Sequence, residues 1–545
     1  MFKFIIEQLK YFLVLFRIKK VFFLNVRSEV ISSKIILCEF NNFASVQIPF
    51  FYFINYFLTK EKYTILGFYN YDVIKHKLSE SFIIKFLRKN FFNFITKKIY
   101  FHFNFQKIIY PEAKLSNQVI KNFKRIKQIK KKEDILNIKI SNILIGDLLY
   151  DTYCKKYHQP TLNLNDQRYE EFLLDFLQLF NFWFDFFKKN SEISKVCGSH
   201  LVYSYGVIFR IALNFKKDVF LINLDRIKKV NKNFPYEIHY SDFNKTRFKK
   251  IKLKLRKKIL HSGRKLLINQ FNGKSDYTKS ISTLAKNSFS RSNEKSLIKS
   301  NNNIKILISP HDFYDAPHVW GNHGFFSDYY DWLVFILNIS RETKYDWYIK
   351  AHPDLVGIYG QHQRLTRRTI ENLLKEYPNV KILPPNYSNF KILRDKIDLV
   401  ITCHGSVAYE FPFYGIPTMT CSKSSPFINY NFNIKPKSRS NIKKFLLNIR
   451  KTKRNLKIHK ENIFYYFTIR FVFYNTTSWL FPYKQYTSFI NGWYRRDSLA
   501  LYNYWLKYFN KTQSKNINRL LDNFFELDLK MLDITVDGYG KNNEK

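Results

Sequence analysis

Six of the thirteen histidines lie between residues 311 and 404, and most of them fall where an apolar run gives way to polar residues. Three such run ends carry groups able to do chemistry. IKILIS (304–309) is followed by His311, Asp312, Asp315, His318 and His323. YDWYIK (345–350) leads into Ala351-His352-Pro353, and IDLVIT (397–402) into Cys403-His404-Gly405-Ser406, with Glu410 one helical turn on. The third end has the clearest physics. Gly405 and Ser406 stand between a buried strand and a helix start, where free N–H groups favour phosphate. Gly405 permits close backbone approach. Ser406 can cap the helix or bond a phosphate oxygen, and Glu410 can accept both hydroxyls of a ribose. At the second end, Pro353 fixes the loop and orients His352, whose imidazole can donate to a phosphate. Each group also has a plainer role open to it. Ser406 could be a cap only, Glu410 a solvated helix residue and His352 satisfied by nearby backbone. Lys350 alternates to the opposite side of its strand and is expected to be solvated.

A metal could in principle be held by His311, Asp315 and His318. These residues lack H-E-x-x-H or C-x-x-C spacing, and the chain has no D-x-D pair of the kind that holds Mg²⁺ on nucleotide sugars. No metal and no resident cofactor are expected. Cys403 and Cys421 read as buried thiols on strands.

The elements that must position these groups alternate. KIILCEF, then IPFFYFINYFL, then YTILGFY give strand, helix, strand. SKVCGSH ends a strand at His200, VYSYGVIFRIALNF is helical, and DVFLIN is a strand. After residue 304 the succession repeats: helix through FSDYYDWLVFILNIS, strands at 345–350, 379–383 and 397–402, helices at 366–377 and 406–414, and the strand TMT. Alternation of this kind predicts α/β layers, with ligands at the carboxyl ends of the strands. The expected divisions are an N-terminal amphipathic helix (1–30), a Rossmann-like domain (31–260), a linker rich in Ser, Asn and Lys (261–303), a second Rossmann-like domain (304–450) and a basic aromatic helical tail (451–545).

Composition bounds the answer. Of 545 residues 46% are hydrophobic, so the chain can build a core, and five cysteines exclude a disulfide-stapled scaffold. The net charge of +48 invites a nucleic-acid reading, but richness in Lys, Asn, Ile, Tyr and Phe throughout the chain accounts for it without one. The first 25 residues are apolar but interrupted by Glu7, Lys10 and Arg17. Each central charge costs about 2.5–3.5 kcal/mol in a membrane span, so a span is not expected, and without a small-residue cleavage site after a clean apolar core neither is a signal peptide. Residues 241–260 carry nine Lys/Arg against one Asp, with Phe248, Ile251, Leu255 and Ile259 on one stripe. That pattern suits a membrane-surface helix or a helix packed on its apolar stripe.

The run SPHDFYDAPHVWG…FSDYYDWL…WYIKAHPD…DLVITCHGSVAYEFPFYGIPTMT resembles bacterial capsule and surface-polysaccharide biosynthesis proteins, which are similar to GT-B glycosyltransferases. Gly146-Asp147-Leu148-Leu149-Tyr150-Asp151-Thr152-Tyr153 is similar to that group's G-x-x-x-Y-D-x-Y element, and VCGSHLVYSYGVIFRIAL to its His-then-Tyr-x-x-Gly helix. The resemblance spans about residues 30–430. It implies an α/β fold of two Rossmann-like domains facing across a cleft, with extra helical termini. It also implies a donor phosphate against His352 and Pro353, a phosphate turn at Gly405 and Ser406, and a ribose at Glu410, with His311 and Asp315 completing the donor set. Cys403-His404 departs from the family's smaller residues before the glycine, which leaves the donor's identity open.

Sugar transfer needs a base for the acceptor hydroxyl and a cradle for the leaving phosphate. The base is expected from the first domain: Asp151 first, with Asp147 and His200 as the other candidates. The function implied is a metal-independent glycosyltransferase, moving sugar from a nucleotide-sugar co-substrate to a glycan or lipid-linked glycan of capsule, O-antigen or similar type. The expected location is the cytoplasm, peripheral to an anionic inner membrane face. A polyol-phosphate transferase of teichoic-acid type or a nucleotide-sugar epimerase would use the same scaffold. A non-catalytic basic protein binding nucleic acid or membrane is the alternative from another class, although no nucleic-acid motif is present.

Overall fold

A computed structural model describes residues 34–61, 63–69, 94–224, 226–238, 245–272, 295–321, 324–352, 360–450, 458–473, 498–508 and 511–532, with a few isolated positions besides. They form two compact units. The first comprises the described parts of 1–152, 165–237 and 474–545, the second those of 153–164 and 238–473. The expected N-terminal helix lies almost wholly outside the described residues, as do Pro353, His323 and much of the expected linker. The start of that linker is helical, because Leu253–Phe271 is one helix.

In the first unit, β1 (Ile35–Phe40), β2 (Thr64–Tyr69) and β3 (Phe105–Ile109) come first. A small hairpin of β4 (Lys139–Ile140) and β5 (Ile143–Leu144) follows, then β6 (Ile193–Gly198), β7 (Asp218–Ile222) and β8 (Ile227–Lys229). The main sheet runs β3-β2-β1-β6-β7-β8. All its pairs are parallel except β7 with β8. The central strands β1 and β7 are buried along most of their length, as in a sheet covered on both faces, whereas the edge strand β3 exposes Gln106 and Lys107. The chain leaves β1 in one direction, returns, and adds β6 on its other side. The crevice expected for a ligand therefore lies beyond the ends of β1 and β6.

The Ala44–Lys60 helix is aromatic nearly all round, and the last helices complete its burial. Trp505 Nε1 donates to Tyr52 Oη at 2.9 Å, and Tyr56 Oη donates to Asp522 at 2.9 Å. Trp505, Leu501, Leu520 and Leu521 are fully buried in this core.

In the second unit, β9 (Lys305–Ile308), β10 (Asp346–Lys350), β11 (Val380–Leu383), β12 (Leu399–Thr402) and β13 (Thr418–Thr420) form a sheet of order β11-β10-β9-β12-β13. Every pair is parallel. This order is that of a doubly wound nucleotide-binding sheet, and its crevice lies beyond β9 and β12. The Tyr329–Arg341 helix buries Trp332 and Ile336 in the core of this unit. Among the described residues no helix is long and apolar enough to cross a membrane. All five cysteines are buried thiols.

Candidate functional site

At the first unit's crevice, the β1 and β6 ends are tied by a buried carboxylate. Glu39 accepts from Ser199 N at 2.6 Å, Ser199 Oγ at 2.8 Å and Asn41 Nδ2 at 2.9 Å. The next residue, His200, is exposed, and its Nδ1 lies 3.2 Å from Glu237 Oε1. Glu237 is itself fixed, since Leu201 N donates to its Oε2 at 3.0 Å and Lys228 Nζ to its carbonyl at 3.0 Å. Burial pushes the Glu237 carboxyl up, but the His200 charge, its hydrogen bond and the Leu201 N–H outweigh burial and hold it below the usual range. The contact selects the tautomer protonated on Nδ1, which makes Nε2 the basic nitrogen. A carboxylate orienting an imidazole in this way is the arrangement of a general base.

The other two candidates are placed differently. Asp147 is buried in a two-pronged ion pair with Arg210, Nη1 to Oδ1 at 2.5 Å and Nη2 to Oδ2 at 2.6 Å. Both its oxygens are engaged by Arg210. Asp151, on the same Gly146–Tyr157 helix, is 3% exposed, and its charge also acts on Arg210. Gly146 starts that helix where a Cβ would stand 1.8 Å from Ile135 O, so only glycine fits. Within the G-x-x-x-Y-D-x-Y element, Gly146 is thus fixed by its packing on Ile135 and Asp147 by its pairing with Arg210. Sequence reasoning passed over Glu237. The available signal was that Glu237 and Asp242 are the only acids between residues 226 and 265.

In the second unit, His311 and the Cys403–Ser406 turn follow the two strands that flank the crevice. His311 is half-buried with its ring 5.0 Å from Tyr329. Tyr329 also meets His404 edge-on at 5.9 Å, and Trp320 stacks on His404 at 5.5 Å. Burial first, then the neighbouring His311 and Arg470, push His404 well below the usual histidine range, so it stays neutral. Asp315 and His352 are exposed. The buried His318 bonds Ser327 O through Nε2 at 2.8 Å. Among the described residues no group of three His, Cys, Asp or Glu is placed to hold a metal.

Gly405 N donates to Thr402 Oγ1 at 3.2 Å, so this amide is already engaged. Ser406 makes no side-chain cap; its backbone is already helical and the residue is exposed. The Val407–Phe413 helix that follows is seven residues long.

The expected solvation of Lys350 is overturned. It is 6% exposed, and its Nζ donates to Asn389 Oδ1 at 2.6 Å. β10 is flanked on both sides by strands, and helices cover both faces of a parallel sheet, so alternation along it does not lead to water. Burial pulls the Lys350 ammonium down to about 8, against the raising effect of Glu410. Asn389 Nδ2 donates to Glu410 Oε2 at 3.3 Å. Glu410 is therefore not a solvated helix residue, being 4% exposed. Ser388 caps the Asn389–Arg394 helix through Phe390 N, which sets the Asn389 amide between cation and carboxylate. Asn389 was missed in the sequence, where Ser-Asn after a strand reads only as a helix start.

Comparison with known proteins finds no matching family model and no curated protein. Solved structures of similar shape include the beta Kdo 2,4 transferase KpsC of Thermosulfurimonas dismutans, at 10% identity and a TM-score of 0.30, over 50% of this chain and 79% of that one. A putative UDP-N-acetylglucosamine 2-epimerase from Listeria monocytogenes shows 11% identity and a TM-score of 0.23, over 80% and 91%. The UDP-GlcNAc 2-epimerase of Neisseria meningitidis, bound to UDP-GlcNAc, shows 12% identity and a TM-score of 0.24, over 80% and 98%.

Proposed function

We propose that the protein is a glycosyltransferase that moves a sugar from a nucleotide-sugar donor to a hydroxyl of a surface glycan. The observation that carries this reading is the pairing of His200 with Glu237 at the first unit's sheet end, in a chain whose second unit has a doubly wound nucleotide-type sheet.

His200 Nε2 takes the proton of the acceptor hydroxyl, and Glu237 steadies the imidazolium that forms. The acceptor oxygen attacks the anomeric carbon. The bond from that carbon to the phosphate oxygen breaks, and its electron pair leaves on the nucleotide. His352 and the Ser406 hydroxyl, both exposed, donate to the departing phosphate. Glu410, held by Asn389, accepts from the ribose hydroxyls. The base assigned here is His200 rather than Asp151, because the exposed imidazole is oriented by the Glu237 carboxylate as a general base is.

The test is incubation with CMP-, UDP-, GDP- and CDP-sugars and a glycan acceptor, with products read by mass spectrometry. Sugar transferred to acceptor with release of nucleotide supports the reading. An inverted sugar still joined to its nucleotide would make the protein an epimerase instead.

A further inference from the structure

The Leu253–Phe271 helix has two faces of opposite character. Its inner face is committed to the second unit, with Ile259, Gly263, Leu267 and Phe271 buried. A Cβ on Gly263 would stand 2.0 Å from Thr468 Oγ1, and the Phe271 ring lies 4.7 Å from Phe413. The helix is pressed too closely to roll. Two residues of the stripe noted in the sequence, Phe248 and Ile259, are buried inward, so that stripe is not what meets a membrane.

The outer face carries Leu253, Lys254, Lys257, Lys258, Lys265 and Ile268, all exposed. At 100° per residue they share an arc of about 140°, along a length of about 22 Å. No Asp or Glu occurs between residues 252 and 272. Exposed Lys249, Lys250 and Lys252 extend the basic surface ahead of the helix. Leu253 and Ile268, 56% and 44% exposed, stand at the two ends of this length, with the lysines between them along the axis.

We propose that this face docks the protein on an anionic lipid bilayer, lysines on the headgroups and Leu253 and Ile268 in the interface. Charge complementarity selects a polyanion, and two details select lipid. Outward aliphatic side chains gain burial in a headgroup layer and have no use on a phosphate backbone. The cations of the face are mostly Lys, a point charge, and its exposed Arg264 is engaged by Glu461, Nη2 to Oε2 at 2.5 Å, instead of being offered as the fork that reads nucleic acid. The reading does not depend on the chemistry proposed above.

Vesicle co-sedimentation of the full chain tests it. Binding to mixed phosphatidylglycerol/phosphatidylcholine vesicles, absent from pure phosphatidylcholine and falling with salt, is expected. Lys254→Glu/Lys257→Glu/Lys258→Glu should weaken partitioning by more than about a hundredfold. Leu253→Ser/Ile268→Ser should weaken it by about tenfold. Because the whole chain is basic, Lys121→Glu/Lys124→Glu/Lys130→Glu, exposed on the first unit, is the control and should bind as wild type. Equal loss in the control, or full binding by the helix triple variant, would overturn the proposal. So would wild-type binding by the Leu253/Ile268 variant together with displacement of vesicles by duplex DNA, which would mark a nucleic-acid surface.

Discussion

Lys350 Nζ donates to Asn389 Oδ1 at 2.6 Å, and the other end of the same amide meets Glu410. One neutral side chain thus joins a buried cation to a buried carboxylate. Each charge alone would cost several kcal/mol to bury. Together they sit at the end of β10 and in the helix after β12.

This pairing has a pH signature. The folded protein releases the Lys350 proton near pH 8, whereas an unfolded lysine holds it to about 10.5. Between those values unfolding takes up a proton, so the stability linked to this site rises with pH. Below pH 8 both states are charged and the full burial cost stands. The wild-type minus Lys350→Met difference in unfolding free energy should rise across pH 8–10.5 by on the order of 3 kcal/mol. Denaturant titrations at several pH values measure it, and a flat difference contradicts the burial argument.

His200→Ala should lower kcat by about 10²–10⁴. Glu237→Gln should lose less and shift the profile. Activity falls on the acid side as the imidazole takes a proton. Without the carboxylate that stabilises the imidazolium, the fall moves to lower pH. The pair's contribution to stability is full above the ordinary carboxylate range and is lost as pH falls through the depressed value of Glu237. A rate profile superimposable on wild type would remove His200 from the chemistry.

Asp147→Asn leaves Arg210 buried without its counter-charge, and should cost about 3–5 kcal/mol of stability. Asp147→Leu/Arg210→Met should recover much of that loss. Should Asp147→Asn instead melt like wild type and lose all turnover, Asp147 would be a catalytic group.

Periodicity was a sound guide to the sheets. IKILIS, YDWYIK, NVKIL, IDLVIT and TMT all become parallel strands, because buried strands are short apolar runs ended by polar loops. Spacing also placed His311, Gly405 and His352 beyond strand ends. What it could not place were partners distant in the chain. Glu237 reaches His200 across 37 residues, and Asn389 reaches Lys350 across 39. The error on Lys350 came from treating strand alternation as an inside–outside rule, which fails in a sheet covered on both faces. The last helices carried no motif, since what they do is pack.

That packing is testable. Trp505 is fully buried against Tyr52, far along the chain from it. Trp505→Ala should cost about 3–5 kcal/mol, read as a lowered denaturant midpoint. A midpoint unchanged from wild type would detach the last helices from the first unit's core.

Calorimetric titration of CMP-, UDP-, GDP- and CDP-sugars into wild type and Glu410→Gln is the most direct measurement of a donor site in the second unit. One nucleotide class should bind wild type, and Glu410→Gln should bind it at least about tenfold more weakly through loss of charged hydrogen bonds. Absence of binding by every donor, or equal affinity in the two proteins, would contradict the site.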